Sequence, residues 1–87
     1  MRARELLAWN LRRLRSDRGQ SQERLAADTG IDRAYLSELE RGQGNATLDI
    51  IDRLAAHLGV EPVEFLAPQD PSSPMPENLK PGRKART

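Results

Sequence analysis

The side chains best suited to chemistry lie between Gln22 and Arg41, in the run QERLAADTGIDRAYLSELER. If the second half of that run is helical with Leu36 and Leu39 turned inward, Arg33, Ala34, Ser37 and Glu38 turn outward together. Arginine presents a bidentate fork to guanine O6 and N7, and alanine meets a thymine methyl. Serine bonds a base or a phosphate, and glutamate accepts from the cytosine amine. Tyr35 adds a ring that can lie on a sugar–phosphate edge or a pyrimidine–purine step. At the head of the run Ser21 is a good N-cap, and the free N–H groups of a helix start favour phosphate. This is recognition chemistry. The chain has no cysteine and one histidine, His57. That excludes a disulfide scaffold, a thiolate zinc site and a cysteine nucleophile, and His57 alone builds no metal site. With no nucleophile–base pair in view, no enzyme activity, cofactor, metal or small-molecule ligand is expected.

Several elements must hold that run in place. Thr29-Gly30-Ile31 separates two short helical stretches, with Ala26 small enough for a close crossing and Gly30 tolerant of positive φ. This predicts a helix-turn-helix over residues 22–41 whose second helix, about 33–41, enters a major groove. A first helix of about Ala3–Asp17 carries Leu7, Leu11 and Leu14 on one face and leaves Trp9 exposed. The second turns Leu25, Ala26 and Thr29 inward. A fourth, after Thr47, presents Leu48, Ile51, Leu54, Ala55 and Leu58, and a stub after Pro62 adds Phe65 and Leu66. No stretch alternates with a period of two, so the fold class is all-α over residues 1–66. Five of the six prolines follow residue 66. Residues 67–87 keep only Met75 and Leu79 as large apolar side chains, which predicts a Pro-rich tail with no core of its own. Its basic end, Lys80, Arg83, Lys84 and Arg86, reads as solubilising.

The net charge of +1 over 87 residues conceals a division. Residues 1–24 hold seven arginines against three acids, and residues 25–66 hold three arginines against eight acids. A uniformly basic footprint is therefore excluded, and any nucleic-acid affinity must come from a local face. No apolar run approaches the ~20 residues of a membrane helix, and the N-terminus lacks the apolar core of a signal peptide. A cytoplasmic protein is expected.

Six segments in order carry a resemblance: LRRLR-x-x-R-G (11–19), SQERLA (21–26), G-I (30–31), YLSELERG (35–42), N-A-T-L (45–48) and LAAHLGV (54–60). Together they resemble the Cro/cI-like, or xenobiotic-response-element, helix-turn-helix repressors over Leu7–Leu66. The run DRAYLSELERG…NATL is most similar to short stand-alone members such as restriction–modification controller proteins. The resemblance implies a compact, lambda-repressor-like domain of four to five helices that binds double-stranded operator DNA in a bacterial or phage setting. It implies that Gln22 contacts a phosphate and braces the recognition helix, and that Arg41 and Asn45 grip the DNA backbone. It also implies that Arg15 and Glu40 form a partly buried ion pair joining the first helix to the third. Two positions depart from the family pattern. Gln20 stands where many members carry an apolar staple, and Ala46 stands where many carry proline.

A second surface is expected from Ile50, His57, Val60, Val63, Phe65 and Leu66, apolar for the most part and more than one small core uses. They are read as a homodimer interface that sets two recognition helices ~34 Å apart. A rival reading makes the chain an antitoxin whose tail wraps a partner toxin protein. Another makes it a protein-interaction module, against which Arg33 and Arg41 speak.

Overall fold

Side-chain caps begin three of the helices in this chain. In the computed structural model, which describes residues 2–69, Ser21 Oγ accepts from Arg24 N at 3.1 Å. Asp32 Oδ2 accepts from Tyr35 N at 3.0 Å, and Thr47 Oγ1 accepts from Ile50 N at 3.1 Å. Each cap satisfies an N–H that the first helical turn leaves open and is worth about 1 kcal/mol. The helices that follow are α2 (Gln22–Thr29), α3 (Arg33–Glu40) and α4 (Leu48–Leu58). They are preceded by α1 (Ala3–Asp17) and followed by a short 3-10 helix, Pro62–Leu66. The chain is all-α over the described residues. None of these helices is long and apolar enough to cross a membrane.

The core is a leucine cluster drawn from every element. Leu7, Leu11 and Leu14 of α1 meet Leu25 and Ala26 of α2, Leu36 and Leu39 of α3, and Leu54, Ala55 and Leu58 of α4. Ile31 joins from the turn and Phe65 from the 3-10 helix. The α2–α3 turn is fixed by three bonds. Thr29 Oγ1 donates to Leu25 O at 2.7 Å and accepts from Ile31 N at 3.3 Å, while Gly30 N donates to Ala26 O at 2.9 Å. Gly30 has φ +75°, the left-handed conformation that glycine adopts without penalty. Thr29, expected inward for packing, is half-buried and spends its hydroxyl on the backbone instead.

Three expectations are corrected here. Trp9 is buried, not exposed. The leucine stripe describes only one flank of α1, but the helix packs against α3 on one side and the 3-10 helix on another. Ala8, Trp9 and Asn10 are consequently buried in succession. Leu48, expected inward, is 83% exposed, because the apolar face of α4 continues past the core at its first turn. Phe65, assigned to a dimer surface, is fully buried in the core of its own chain.

Asn10 explains how the 3-10 helix is held. Its Nδ2 donates to Leu6 O, Phe65 O and Ala67 O at 2.9–3.2 Å. Its Oδ1 accepts from Arg13 and from Gln69 Nε2. A fully buried amide satisfied on both ends thus ties α1 to residues 65–69. Of the expected tail, residues 67–69 are tied to α1 in this way. Residues 70–87, with Met75, Leu79 and the basic end, lie outside the described residues.

Candidate nucleic-acid interface

The outward face of α3 follows from its inward one. Leu36 and Leu39 are buried to 1% exposure or less, so Arg33, Ala34 and Glu38 emerge exposed on the opposite side. The α3 helix ends at Glu40, with Arg41 as its C-cap. Arg33 and Glu38 make no side-chain hydrogen bond or ion pair among the described residues. The surface ion pair that would occupy Arg33 on Asp32 is not formed, because that carboxylate caps the helix. Ser37, half-buried, accepts from Arg41 Nη1 at 2.6 Å. This ties the exposed Arg41 guanidinium to the last turn of the helix through one of its five donors.

Behind that face stands a buried ionic lock. Glu40 accepts from Arg15 Nε at 2.6 Å and from Arg15 Nη2 at 2.8 Å, a two-pronged pair at 1% and 2% exposure. Arg15 Nη1 also donates to Gln20 O at 2.8 Å, anchoring the loop before α2. Gln22 Nε2 donates to Glu40 Oε1 at 3.0 Å. One carboxylate therefore fixes α1, the start of α2 and the end of α3 relative to one another. The planar fork of arginine suits such a site where a lysine would not. Ser21 and Gln22, both half-buried, stand at the α2 N-terminus with that brace beneath them.

The absent apolar staple at Gln20 is replaced by a polar link. Gln20 Oε1 lies 3.2 Å from His57 Nε2 of α4, and His57 Nε2 lies 3.8 Å from Asp28 Oδ2 of α2. His57 thus turns toward α2, away from the dimer surface expected of it. Ile50 and Val60 are half-buried against the core, whereas Val63 and Leu66 are exposed at 71% and 48%.

Two further residues hold the loop after α3. Tyr35 is half-buried, and its hydroxyl donates to the backbone carbonyl of Asn45, so it clamps that loop to the helix. Arg4, which the sequence reading did not single out, donates from Nε to Gly44 O at 3.0 Å and from Nη2 to Asn45 Oδ1. No local signal marks it, since its partners lie 40 residues away along the chain. Gly44 is buried at the base of the same loop. A Cβ there would stand 3.0 Å from Leu39 Cδ2, tighter than an ordinary contact, so a larger residue would oblige the Leu39 side chain to shift.

A family model for the helix-turn-helix domain matches residues 6–67. The chain belongs to the helix-turn-helix domain family. Among helix-turn-helix relatives, a hypothetical transcription factor of Neisseria meningitidis is 45% identical over 65 residues, 75% of this chain and 61% of that protein. An uncharacterized HTH-type transcriptional regulator of Sinorhizobium fredii is 43% identical over 80% of this chain and 91% of its own length. The crystal structure of the Neisseria factor superposes with a TM-score of 0.74 at 43% identity, covering 77% of each chain. That of the restriction–modification controller protein C.AhdI from Aeromonas hydrophila gives a TM-score of 0.68 at 44% identity, over 71% of this chain and 94% of its own. The match spans less than two thirds of the Neisseria protein's sequence but most of the Sinorhizobium and controller proteins.

Proposed function

We propose that this chain is a DNA-binding transcriptional regulator of the cytoplasm, not an enzyme, that controls transcription by occupying operator DNA as a dimer. The observation that carries the reading is the α3 face. Arg33, Ala34 and Glu38 stand exposed on one side of a short helix whose other side is locked by Leu36, Leu39 and the Arg15–Glu40 pair. Arg33, Ala34, Ser37 and Glu38 read base edges in the major groove, with Tyr35 at the sugar–phosphate edge. Ser21, Gln22, Arg41 and Asn45 set register on phosphates. The relatives, named as transcription factors, regulators and controller proteins, support the same reading.

The dimer face is better supported by an exposed apolar groove that keeps Val63 and Leu66 of the six expected residues and adds Leu48. Leu48, Val63 and Leu66 line it together with half-buried Ile51, and its rim carries Arg2, Arg4 and Glu5. Leu48, Val63 and Leu66 leave apolar surface open in one groove, which association would cover. Its charged residues are of both signs, Arg2 and Arg4 with Glu5, which suits an isologous contact with a second copy. The groove also borders the Gly42–Ala46 loop, which keeps the dimer axis beside the DNA-facing side.

Fluorescence anisotropy with labelled duplex tests the reading. Log affinity is expected to fall linearly with log salt at a slope of about −0.9 per phosphate neutralised. Arg33→Ala is expected to relax base preference at one position by about 1–3 kcal/mol per half-site. A flat salt response, or base preference unchanged in Arg33→Ala, overturns it.

A further inference from the structure

The loop between α3 and α4 is held from three directions. Leu39 packs beneath Gly44, the Tyr35 hydroxyl reaches the Asn45 carbonyl, and Arg4 comes from α1 to both Gly44 O and Asn45 Oδ1. The Arg4 contact has a consequence for which end of the Asn45 amide faces out. A guanidinium only donates, so it engages the amide through Oδ1. The Asn45 Nδ2 group is thereby turned away from Arg4 and has no hydrogen-bond partner among the described residues, on a residue that is exposed. Were the amide rotated, two donors would face each other.

We propose that Arg4 is a positioning residue for DNA binding: it orders the Gly42–Asn45 loop and aims the Asn45 amide N–H groups at a backbone phosphate. The proposal rests on the reading of this chain as a DNA-binding protein. It assigns to the first turn of α1 a role in the interface although that turn lies on a different element from the recognition helix. Lysine does not replace Arg4 here, because one ammonium cannot span two acceptors in the fixed fork geometry of a guanidinium. The bond to Asn45 is exposed and that to Gly44 O only partly buried, so their value lies less in stability than in reducing the ordering that the loop must undergo when DNA binds.

A double-mutant cycle separates this role from direct phosphate binding by Arg4. DNA affinity and its salt slope are measured by anisotropy on one duplex for wild type, Arg4→Met, Arg4→Lys, Asn45→Ala and Arg4→Met/Asn45→Ala. The expected loss is about 3- to 10-fold per half-site for Arg4→Met, the scale of one lost hydrogen bond. Arg4→Lys loses nearly as much, the salt slope stays close to wild type, and Arg4→Met costs nothing further once Asn45 is alanine. Recovery of full affinity by Arg4→Lys, a slope lowered by about 0.9 per half-site, or additive losses would instead make Arg4 a phosphate ligand and overturn the proposal. Unchanged affinity in Arg4→Met overturns it as well. Thermal unfolding and sedimentation of each variant, both expected to match wild type, exclude loss through misfolding or through the apolar groove that Arg4 and Asn45 also line; a variant that unfolds early or dissociates contradicts the claim that Arg4 acts on the loop alone. If wild type itself shows no salt-dependent binding, the functional reading fails, an outcome distinct from these.

Discussion

Glu40→Ala removes the carboxylate on which three elements converge. Glu40 is 2% exposed and receives two hydrogen bonds from Arg15, itself 1% exposed, and one from Gln22. Its loss leaves the Arg15 charge buried without its counter-charge, at a cost of about 3–5 kcal/mol. A chain of this size has about 4–13 kcal/mol of stability in total, so the variant loses a large fraction of it. Urea unfolding followed by far-ultraviolet circular dichroism measures the difference directly. Because the pair is buried, the loss is expected to persist in high salt, unlike that of a surface pair. The double variant Arg15→Met/Glu40→Leu should recover much of the stability, since an apolar pair of similar volume carries no desolvation penalty. A loss below about 1 kcal/mol for Glu40→Ala, or one abolished by salt, would refute the reasoning that this pair locks α3 to α1.

Phe65→Ala should cost about 3–5 kcal/mol by opening a cavity in the core; a loss below about 1 kcal/mol in denaturant melts would contradict the burial assignment. Asn10→Ala should cost about 1–3 kcal/mol and raise amide hydrogen exchange over residues 65–69, because two backbone carbonyls lose their donor. Unchanged exchange there would contradict the hub role of Asn10. Leu48→Glu combined with Val63→Glu should shift sedimentation to monomer and weaken DNA binding, since like charges would meet across the two-fold axis. An unaltered oligomer would place the interface elsewhere.

Much of the fold was legible because the sequence carries local signals for it. Ser21, Asp32 and Thr47 act as the caps their types predict, and Gly30 supplies the left-handed turn. The outward set on α3 followed from the inward placement of Leu36 and Leu39. What sequence reasoning missed depends on contacts between distant segments. Trp9 and Asn10 are buried because the 3-10 helix and residues 67–69 close over a second flank of α1, which no periodicity within α1 announces. Phe65 is expected on a second surface because the final stub carries more apolar residues than one small core uses, yet it fills the core of its own chain. Arg4 was invisible for the same reason, as its acceptors belong to a loop 40 residues away. Gly44, unlike Gly30, has no left-handed backbone; what sets it apart is its close approach to Leu39, which local sequence does not announce. Gln20 shows the reverse case. Lack of the apolar staple was legible, but its polar replacement on His57 was not.

Selection of bound sequences from a random duplex pool tests the central claim most directly. The account predicts enrichment of a two-fold symmetric motif with half-site centres about 10 bp apart, one position of which loses its preference when the selection is repeated with Arg33→Ala. A pool that remains random after repeated rounds, or a motif indifferent to Arg33, would contradict it.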